Sequence, residues 1–443
     1  MNARTPAAAV ITGIGVIAPN GLGTPAWWDA TLRVENGIRP IRHFDTTRYA
    51  SRLAGLIPDF VAKEHVPGRL LPQTDRMTRL AIAASDWAVA DARVQPATLP
   101  EYATSVVHSN STGGFEFTHR EVRKLWTEGP ARVSVYESFA WFYAANAGQI
   151  SIRNKIRGPS SVVIADQAGG LDAIGQARRI LRNGGQLVVA GGVESAFDPW
   201  GMLSHTATGR VSRAADPAEA YLPFDARAAG YVPGEGGAIL IIESADVAAR
   251  RNARVYGEIA GYAATFDPPP GSGRPRGLER AARLALDDAG LAPEDIDVVF
   301  ADAAAVPADD DAEAAAIGGI FGPYGVPVTV PKALTGRLMG GGPPLDVAAA
   351  LLSIRDGVVP ATAHVDRPVP GHRLDLVRGT PRAQPVRAAL VLARGHGGFN
   401  AAVVVRGPAG SLATDRRADD RSTTGSMAEQ PRPDRDTVRG DSR

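Results

Sequence analysis

The 443-residue chain contains no cysteine, which excludes disulfides, thiolate metal sites and a thiol nucleophile. It also lacks an excess of charge of either sign, because 48 basic residues are balanced by 47 acidic ones, leaving a formal net charge of +1. This balance provides no general attraction for nucleic acids or anionic membranes. Lysine is scarce as well, and it occurs only at Lys63, Lys124, Lys155 and Lys332.

Long apolar runs are missing too, and none approaches the ~20 residues that a membrane-spanning helix needs. Residues 7–18 are apolar, but they contain Gly13 and Gly15 and lack the basic leader of a secretory signal. We therefore expect a core strand there and a cytoplasmic protein, with neither a metal nor a cofactor. The two glycines do not indicate a dinucleotide site, because Ala18 and Pro19 follow where a helix should open.

The order of the predicted elements occurs twice along the chain. A helix over residues 75–92, a proline-containing loop and a strand at residues 104–109 are followed later by a helix over residues 278–290, Pro293 and a strand at residues 296–300. We infer a duplication. Alternating strands and helices with such apolar runs predict an α/β fold whose sheets are covered by helices on both faces.

The duplication divides the chain into two halves and a tail. Asp91 and Asp288 stand at matching ends of the two predicted helices. A boundary near the middle of the chain separates an N-terminal half at residues 1–250 from a C-terminal half at residues 251–408. Residues 409–443 combine mixed charges with Ser, Thr, Gly and Pro and have few large apolar side chains, which predicts a disordered tail.

The most informative stretch runs from Arg157 to Leu171. A buried strand at residues 161–165 is predicted to turn sharply into a helix that ends before Gly184. Such a turn presents one side chain at the amino end of the helix, where free N–H groups and the helix dipole stabilise a thiolate. This chain places Gln167 there. A carboxamide neither ionises nor attacks, so the architecture of a nucleophile site is present without its nucleophile.

These residues give the chain a resemblance to a known family. The other marks are three further runs, Pro223–Asp225, Gly230–Gly237 and Gly395–Asn400. Over residues 7–407 the chain resembles the ketosynthase branch of the thiolase fold, and within it the chain length factors, the ketosynthase β subunits of type II aromatic polyketide synthases. Active ketosynthases carry cysteine at the position of Gln167. The resemblance implies a thiolase-like, five-layer αβαβα fold built from two duplicated halves.

The resemblance also locates the two histidines that condensing enzymes of this kind use. The first corresponds to Asp302 and the second to Arg337. A carboxylate cannot donate from a neutral N–H, and a guanidinium cannot act as a base. The eight histidines of the chain lie elsewhere, at positions 43, 65, 108, 119, 205, 364, 372 and 396. Since Gln167 replaces the cysteine, we expect no carbon–carbon bond formation by this chain alone.

A predicted helix entered through two glycines presents Phe115, Thr118, Val122 and Leu125 on one face. By itself this stripe indicates a core or interface face. The resemblance implies that Phe115, Thr118 and Val122 line a tunnel from the partner's active cysteine into the subunit interface. A growing poly-β-keto chain stops where its end meets this closely packed wall. Relatives that form octaketides carry a bulkier aromatic residue at the position of Val122, so we expect a deeper tunnel and a longer product.

The tunnel has a use only if another subunit supplies the thiol. The resemblance implies a heterodimer with the cysteine-bearing ketosynthase α subunit, in which the strand before Gln167 pairs with its counterpart. It also implies an acyl carrier protein that delivers the polyketide intermediate. Arg120, Arg123 and Lys124 would attract an acidic carrier protein, although a solvated helix face is the commoner explanation of such residues.

Two alternative functions stay open. In the first, the amide of Gln167 hydrogen-bonds a malonyl thioester carbonyl and promotes decarboxylation, so that the subunit helps to make the acetyl primer. In the second, the protein is a scaffold that keeps its partner soluble and folded.

Overall fold

The computed structural model describes residues 8–269 and 271–408, so the tail predicted at residues 409–443 lies outside the described residues. The strands are β1 (Ala9–Ala18), β2 (Gly21–Leu22), β3 (Ile38–Pro40), β4 (Leu53–Gly55), β5 (Thr104–Ser109), β6 (Ser160–Val163), β7 (Leu187–Glu194), β8 (Gly236–Ser244), β9 (Gly257–Phe266), β10 (Val298–Phe300), β11 (Pro327–Thr329), β12 (Val358–Val359), β13 (Asp375–Leu376), β14 (Arg382–Ala383), β15 (Ala388–Arg394) and β16 (Phe399–Arg406). The helices are α1 (Thr24–Leu32), α2 (Ala62–His65), α3 (Arg76–Ala92), α4 (Phe115–Glu128), α5 (Glu137–Ala140), α6 (Ala145–Asn154), α7 (Gly169–Arg182), α8 (Pro199–Ala207), α9 (Ala245–Arg250), α10 (Leu278–Ala289), α11 (Pro307–Phe321) and α12 (Gly342–Asp356).

One mixed sheet extends through the molecule in the order β13-β11-β10-β15-β16-β9-β1-β8-β7-β5-β6, with β2 paired to β1. The strands β6-β5-β7-β8-β1 come from the first half of the chain, and β11-β10-β15-β16-β9 come from the second. In each set the first two pairings are parallel and the last two are antiparallel. The same order and the same directions in both sets are what a duplicated half produces, and the sets meet where β1 pairs with β9.

Five layers follow from the faces on which the helices pack. The helices α3 and α6 bury apolar residues against the outer face of the first set of strands. The helices α10 and α11 do the same for the second set. Between the two sets lie α7 and α12, and every residue from Gly342 to Ser353 is buried. A helix that is buried all round carries no polar face, which is why α12 shows no amphipathic pattern.

The two outer helices α3 and α10 approach the sheet at glycines. A β-carbon on Gly13 of β1 would lie 2.3 Å from the carbonyl oxygen of Ala88, and one on Gly261 of β9 would lie 2.0 Å from that of Ala285. Either distance is far inside van der Waals contact. The glycines that resembled a dinucleotide motif are therefore packing glycines, and the second half carries an equivalent one.

The two matching aspartates have the same structural role in each half. The carboxylate of Asp91 accepts a hydrogen bond from the backbone N–H of Ile14 at 2.9 Å. That of Asp288 accepts one from the backbone N–H of Tyr262 at 3.0 Å. Each aspartate thus ties the end of its helix to the residue that follows the packing glycine. The correspondence extends the duplication from strand order to individual hydrogen bonds.

Predicted boundaries differ from the observed ones mainly at turns. The strand predicted over residues 161–165 is β6, which begins at Ser160 and ends at Val163; the prediction that it is buried is wrong, because β6 lies at the edge of the sheet with its residues exposed or half-buried. Beyond the strand the chain turns at Asp166, which has a left-handed backbone with φ of 51°. The helix predicted from residue 75 begins at residue 76, because Asp75 is its N-cap and accepts a hydrogen bond from the Met77 N–H at 2.9 Å.

The glycine contacts of the outer helices lead to a stability prediction. We expect Gly261→Ala to lower the free energy of unfolding by about 1–3 kcal/mol or more, because the new methyl group overlaps the Ala285 carbonyl. Gly318→Ala is the matched control: its β-carbon would meet nothing within 4 Å in α11, and removing a helical glycine adds about 0.5–1 kcal/mol. Urea unfolding of both variants measures the difference, and equal stabilities would contradict the packing described.

Candidate functional site

The turn between β6 and α7 places Gln167 in the interior of the protein. Gln167 has no exposed surface, and within the described residues neither atom of its carboxamide has a hydrogen-bond partner. Burying an unpaired amide is costly, so an unpaired buried amide calls for an explanation. Gln167 thus lies at the amino end of a helix, as its sequence context predicts, and its amide is unsatisfied, which the sequence could not show.

Close contacts between α7 and the start of α12 enclose this amide. A β-carbon on Gly170 would lie 2.6 Å from the carbonyl oxygen of Gly340 and 2.5 Å from Cδ of Pro344. A β-carbon on Gly342 would lie 3.3 Å from the amide nitrogen and oxygen of Gln167. The amide therefore lies between the amino ends of two helices, one from each half of the chain. Glycine at these positions lets the helices come this close.

The glycine-rich run near the end of the chain packs against the same turn. The Oδ2 atom of Asp166 accepts a hydrogen bond from the backbone N–H of His396 at 2.6 Å. A β-carbon on Gly395 would lie 2.4 Å from the carbonyl oxygen of Ala165. Asp166 and His396 are 230 positions apart in sequence, so only the fold brings the two motifs that contain them into direct contact.

Asp302 and Arg337 form a buried ion pair. The Nη2 atom of Arg337 donates to both carboxylate oxygens of Asp302, at 3.0 and 2.9 Å, and to the carbonyl oxygen of Arg394 at 2.7 Å. The backbone N–H of Arg394 donates to Oδ1 of Asp302 at 2.9 Å. Both charged side chains are at least 95% buried. That these residues stand at the two histidine positions stays a prediction from the resemblance, and the sequence did not indicate that each would neutralise the other.

A second carboxylate holds the backbone of this region. Glu313 of α11 accepts hydrogen bonds from the backbone N–H groups of Asp302 and Ala303, both at 2.7 Å. Burial, helped by the neighbouring Asp302 carboxylate, raises the pKa of Glu313 to about 7. Burial by itself would lower the pKa of Arg337, but the Asp302 carboxylate outweighs it, and the net shift is upward. Arg337 therefore stays charged and cannot accept a proton.

A cavity of about 510 Å³ opens beside the ion pair. Its lining includes Asp302 and Arg337, the loop Gly395–Gly398 and part of the segment after β9. Arg394 also lines it, and no sequence pattern indicated this residue, because its position depends on which strands are neighbours. Besides the ion pair and the glycines, the lining includes Ser272 and His396, and the backbone N–H of His396 is bonded to Asp166.

The stripe on α4 does not belong to the core. The fully buried residues of α4 are Phe117 and Glu121, whereas Phe115, Thr118 and Val122 are half-buried. The fourth residue of the stripe, Leu125, is exposed. Of the two explanations that the spacing allowed, an interface face fits the structure and a core face does not.

Aromatic side chains continue the apolar surface around this stripe. The ring of Phe115 stacks on Trp200 of α8 with a centroid distance of 5.7 Å, and Trp200 is 45% exposed. The glycine before α4, Gly114, donates its N–H to the carbonyl oxygen of Trp141, which belongs to an exposed run of three aromatic residues, Trp141, Phe142 and Tyr143. Exposed apolar clusters of this extent indicate contact with another protein.

The edge of the sheet is open on the same chain segment that carries Gln167. Within the described residues β6 pairs only with β5, so its other side offers free N–H and C=O groups. Ile164, the next residue, is 47% exposed.

The basic residues of α4 have different surroundings. Lys124 and Arg120 contact the buried Glu121, at 2.8 and 3.3 Å, so they serve the fold of their own helix. Arg123 is exposed and forms no ion pair within residues 8–269 and 271–408. Attraction of an acidic carrier protein by this group stays a prediction.

Two further features concern metal binding and membrane spanning over the described residues. The described residues contain no group of three or more His, Cys, Asp or Glu side chains arranged to hold a metal ion. None of their helices combines the length and apolar character needed to cross a membrane.

Comparison with known proteins relates this geometry to a family. Residues 8–248 match the family model of the β-ketoacyl synthase N-terminal domain, and residues 256–366 match that of the C-terminal domain. The chain is 62% identical over 398 residues to the actinorhodin polyketide β-ketoacyl synthase 2 of Streptomyces coelicolor, an alignment that covers 90% of this chain and 98% of the relative. It is 57% identical over 403 residues to the tetracenomycin polyketide synthase ketoacyl synthase β subunit of Streptomyces glaucescens, with coverages of 90% and 98%.

A solved structure agrees with these sequence relatives. The ishigamide ketosynthase/chain length factor superimposes with a TM-score of 0.84 at 26% identity, covering 91% of this chain and 100% of that one. The chain belongs to the β-ketoacyl synthase family. Its thiolase-like fold is confirmed, and within the family it groups with the ketosynthase β subunits, or chain length factors, of type II polyketide synthases.

The buried ion pair leads to a second stability prediction. Arg337→Met leaves the Asp302 carboxylate buried without its cation, and we expect a loss of about 3–5 kcal/mol in the free energy of unfolding. In the control Arg132→Met, an exposed pair with Glu128 is broken, and the loss should stay below about 1 kcal/mol. Adding Asp302→Leu to Arg337→Met should recover much of the stability, because no isolated charge remains. Equal losses in the two single variants would show that the buried pair is not a special contributor.

Proposed function

We propose that this chain is the non-condensing subunit of a heterodimeric type II β-ketoacyl synthase, and that it shapes the tunnel which sets the length of the poly-β-keto chain. The observation that carries the proposal is Gln167: a buried, uncharged amide occupies the turn where acyl transfer requires a thiolate. The Asp302–Arg337 pair supports it, because neither member has a free proton donor or acceptor of the kind that two imidazoles supply.

The partner in this proposal is a ketosynthase α subunit that carries the reactive cysteine. The open edge of β6 and the exposed aromatic residues around α4 offer the pairing edge and the apolar surface that such a subunit would cover. Two copies of this edge strand, one from each subunit, would bring Gln167 and the partner's cysteine to one interface. The ishigamide ketosynthase/chain length factor bears the names of the same two kinds of subunit, which supports this pairing.

The wall of the tunnel in this proposal is the face of α4 formed by Phe115, Thr118 and Val122. These side chains are half-buried in the chain alone, so a partner can complete a cavity over them. Phe115 is supported from behind by Trp200, and Thr118 lies beside the Glu137 carboxylate, whose pKa burial raises and the Thr118 hydroxyl partly lowers. The polyketide intermediate, delivered by an acyl carrier protein, would stop growing where it meets these side chains.

The size of residue 122 gives a direct test. In the complex reconstituted with its ketosynthase and carrier protein, Val122→Phe should shorten the main product by one or more ketide units, since the larger ring fills the end of the tunnel. Val122→Thr is the matched control, because it keeps the shape of the side chain and should keep the product length. Mass spectrometry of the released polyketides measures both.

The same experiment distinguishes a scaffold from a chain length factor. If Val122→Phe lowers the yield but leaves the product length unchanged, the proposed wall is wrong and the scaffold role gains support. The amount of intact complex, measured by size-exclusion chromatography, separates a loss of assembly from a loss of length control.

The unpaired amide of Gln167 favours a second candidate function, the decarboxylation of malonyl-carrier protein to form the primer. Its NH₂ group could stabilise an enolate oxygen at the amino ends of α7 and α12, where the helix dipoles add to the effect. Gln167→Ala should then lower carbon dioxide release by about tenfold. Gln176→Ala, in the same helix but away from the turn, should not. Unchanged release in the Gln167 variant would eliminate the decarboxylase role while leaving length control intact.

A further inference from the structure

A second cavity, of about 1100 Å³, lies against another face of α4. The residues of α4 that line it are Glu116, His119, Arg120 and Arg123, whereas the proposed tunnel wall is formed by the neighbouring stripe. The opposite side of this cavity is formed by the segment after β3, the segment before α2 and the start of α3. The proposed tunnel wall does not use this cavity, although Arg120 and Arg123 are also residues predicted to attract an acidic carrier protein.

The lining of this cavity is strongly basic. Three carboxylates, those of Glu116, Asp198 and Glu235, are outnumbered by six arginines: Arg39, Arg42, Arg76, Arg79, Arg120 and Arg123. The excess of three positive charges here exceeds the formal net charge of +1 for the whole chain. A concave basic region of this kind concentrates anions.

Two of the three carboxylates are already engaged. Glu235, which is 1% exposed, accepts hydrogen bonds from Arg76 at 2.7 and 2.8 Å and from the Ser195 hydroxyl at 2.7 Å. Asp198 accepts the N–H of Gly201 at 2.8 Å and pairs with His119 at 2.5 Å. These carboxylates build the floor of the cavity and are not available to its other arginines.

Four arginines around the cavity form no ion pair within the described residues. Arg39 and Arg79 donate only to backbone carbonyl and hydroxyl oxygens. Arg42 and Arg123 are exposed, and no carboxylate lies within ion-pair distance of either. Arg79 is half-buried, and burial lowers its pKa, so its charge is held at a cost that a bound anion would offset.

The walls between these arginines are apolar. They consist of Phe44, Leu56, Ile57, Pro58, Phe60 and Phe197. Small-molecule sites combine apolar walls with a few polar groups that fix the orientation of the ligand. A purely inorganic ion would leave these walls in contact with water, so the lining fits an anion with an apolar body.

We propose that this cavity binds a small organic phosphate with an aromatic or aliphatic body. Guanidinium groups bind phosphate oxygens through paired, charge-assisted hydrogen bonds. Several unpaired guanidiniums around one cavity match a ligand with more than one negative charge better than a monocarboxylate. The apolar walls then receive the organic part.

Calorimetric titration of the full-length chain, in complex with its ketosynthase partner where that is needed for solubility, tests this assignment. Adenosine 3′,5′-bisphosphate serves as the probe, with adenosine lacking the phosphates and pyrophosphate lacking the organic body. We expect saturable binding of the bisphosphate that weakens with added salt, and at least about tenfold weaker binding of each truncated probe.

The variant R42Q/R123Q should weaken bisphosphate binding by at least about tenfold, and neither side chain makes a contact that the fold needs. The control R250Q/R280Q removes two exposed arginines on α9 and α10 that do not line the cavity, and it should bind as the native chain does. Arg79→Gln is the second test within the cavity, with the same expected direction.

Two results would overturn the proposal: no saturable binding of the bisphosphate, or equal binding by R42Q/R123Q and R250Q/R280Q. Pyrophosphate that binds as tightly as the bisphosphate would exclude the apolar part of the assignment. None of these measurements involves product formation, so their failure would leave the proposed length control unaffected.

Discussion

The close approach of α7 and α12 at their amino ends is the constraint on which the site depends. One helix comes from each half of the chain, and glycines at Gly170, Gly340 and Gly342 allow backbone and side chain to meet where any β-carbon would crowd. This contact closes the interior around Gln167 and at the same time joins the two halves in the middle layer. The side chain in this enclosure is an uncharged amide, which neither ionises nor attacks.

The region of Asp302 and Arg337 is likewise held together by contacts between segments that are distant in sequence. Asp302 and Arg337 satisfy each other, and Glu313 holds the backbone next to them through two hydrogen bonds. An ion pair buried to this degree is inert toward proton transfer, because separating it would leave an isolated charge in the interior. Asp302, Arg337 and Glu313 thus stabilise the local fold of this region.

Helix α4 shows how one element serves several surfaces. Its buried side, Phe117 and Glu121, fixes it to its own chain. The stripe that includes Val122 faces an apolar, exposed region suited to a partner, while Arg123 faces a basic cavity. Because these surfaces share one helix, a contact that shifts the helix at one surface also moves the residues of the other surfaces. Among the buried polar groups of the site, Asp302 and Arg337 are paired with each other, whereas the amide of Gln167 has no partner within the described residues.

The amino-acid sequence by itself determined the features that depend on local order. The turn that presents Gln167, the missing cysteine, the repeated order of helix and strand, and the stripe on α4 all follow from residues that are close together in the chain. The tertiary structure decided what depends on distant segments: the contact between Asp302 and Arg337, the outward orientation of the stripe, and the collection of arginines from residues 39–123 around one cavity. These could not be derived from periodicity, because strand order and helix packing, not sequence spacing, decide which distant side chains meet.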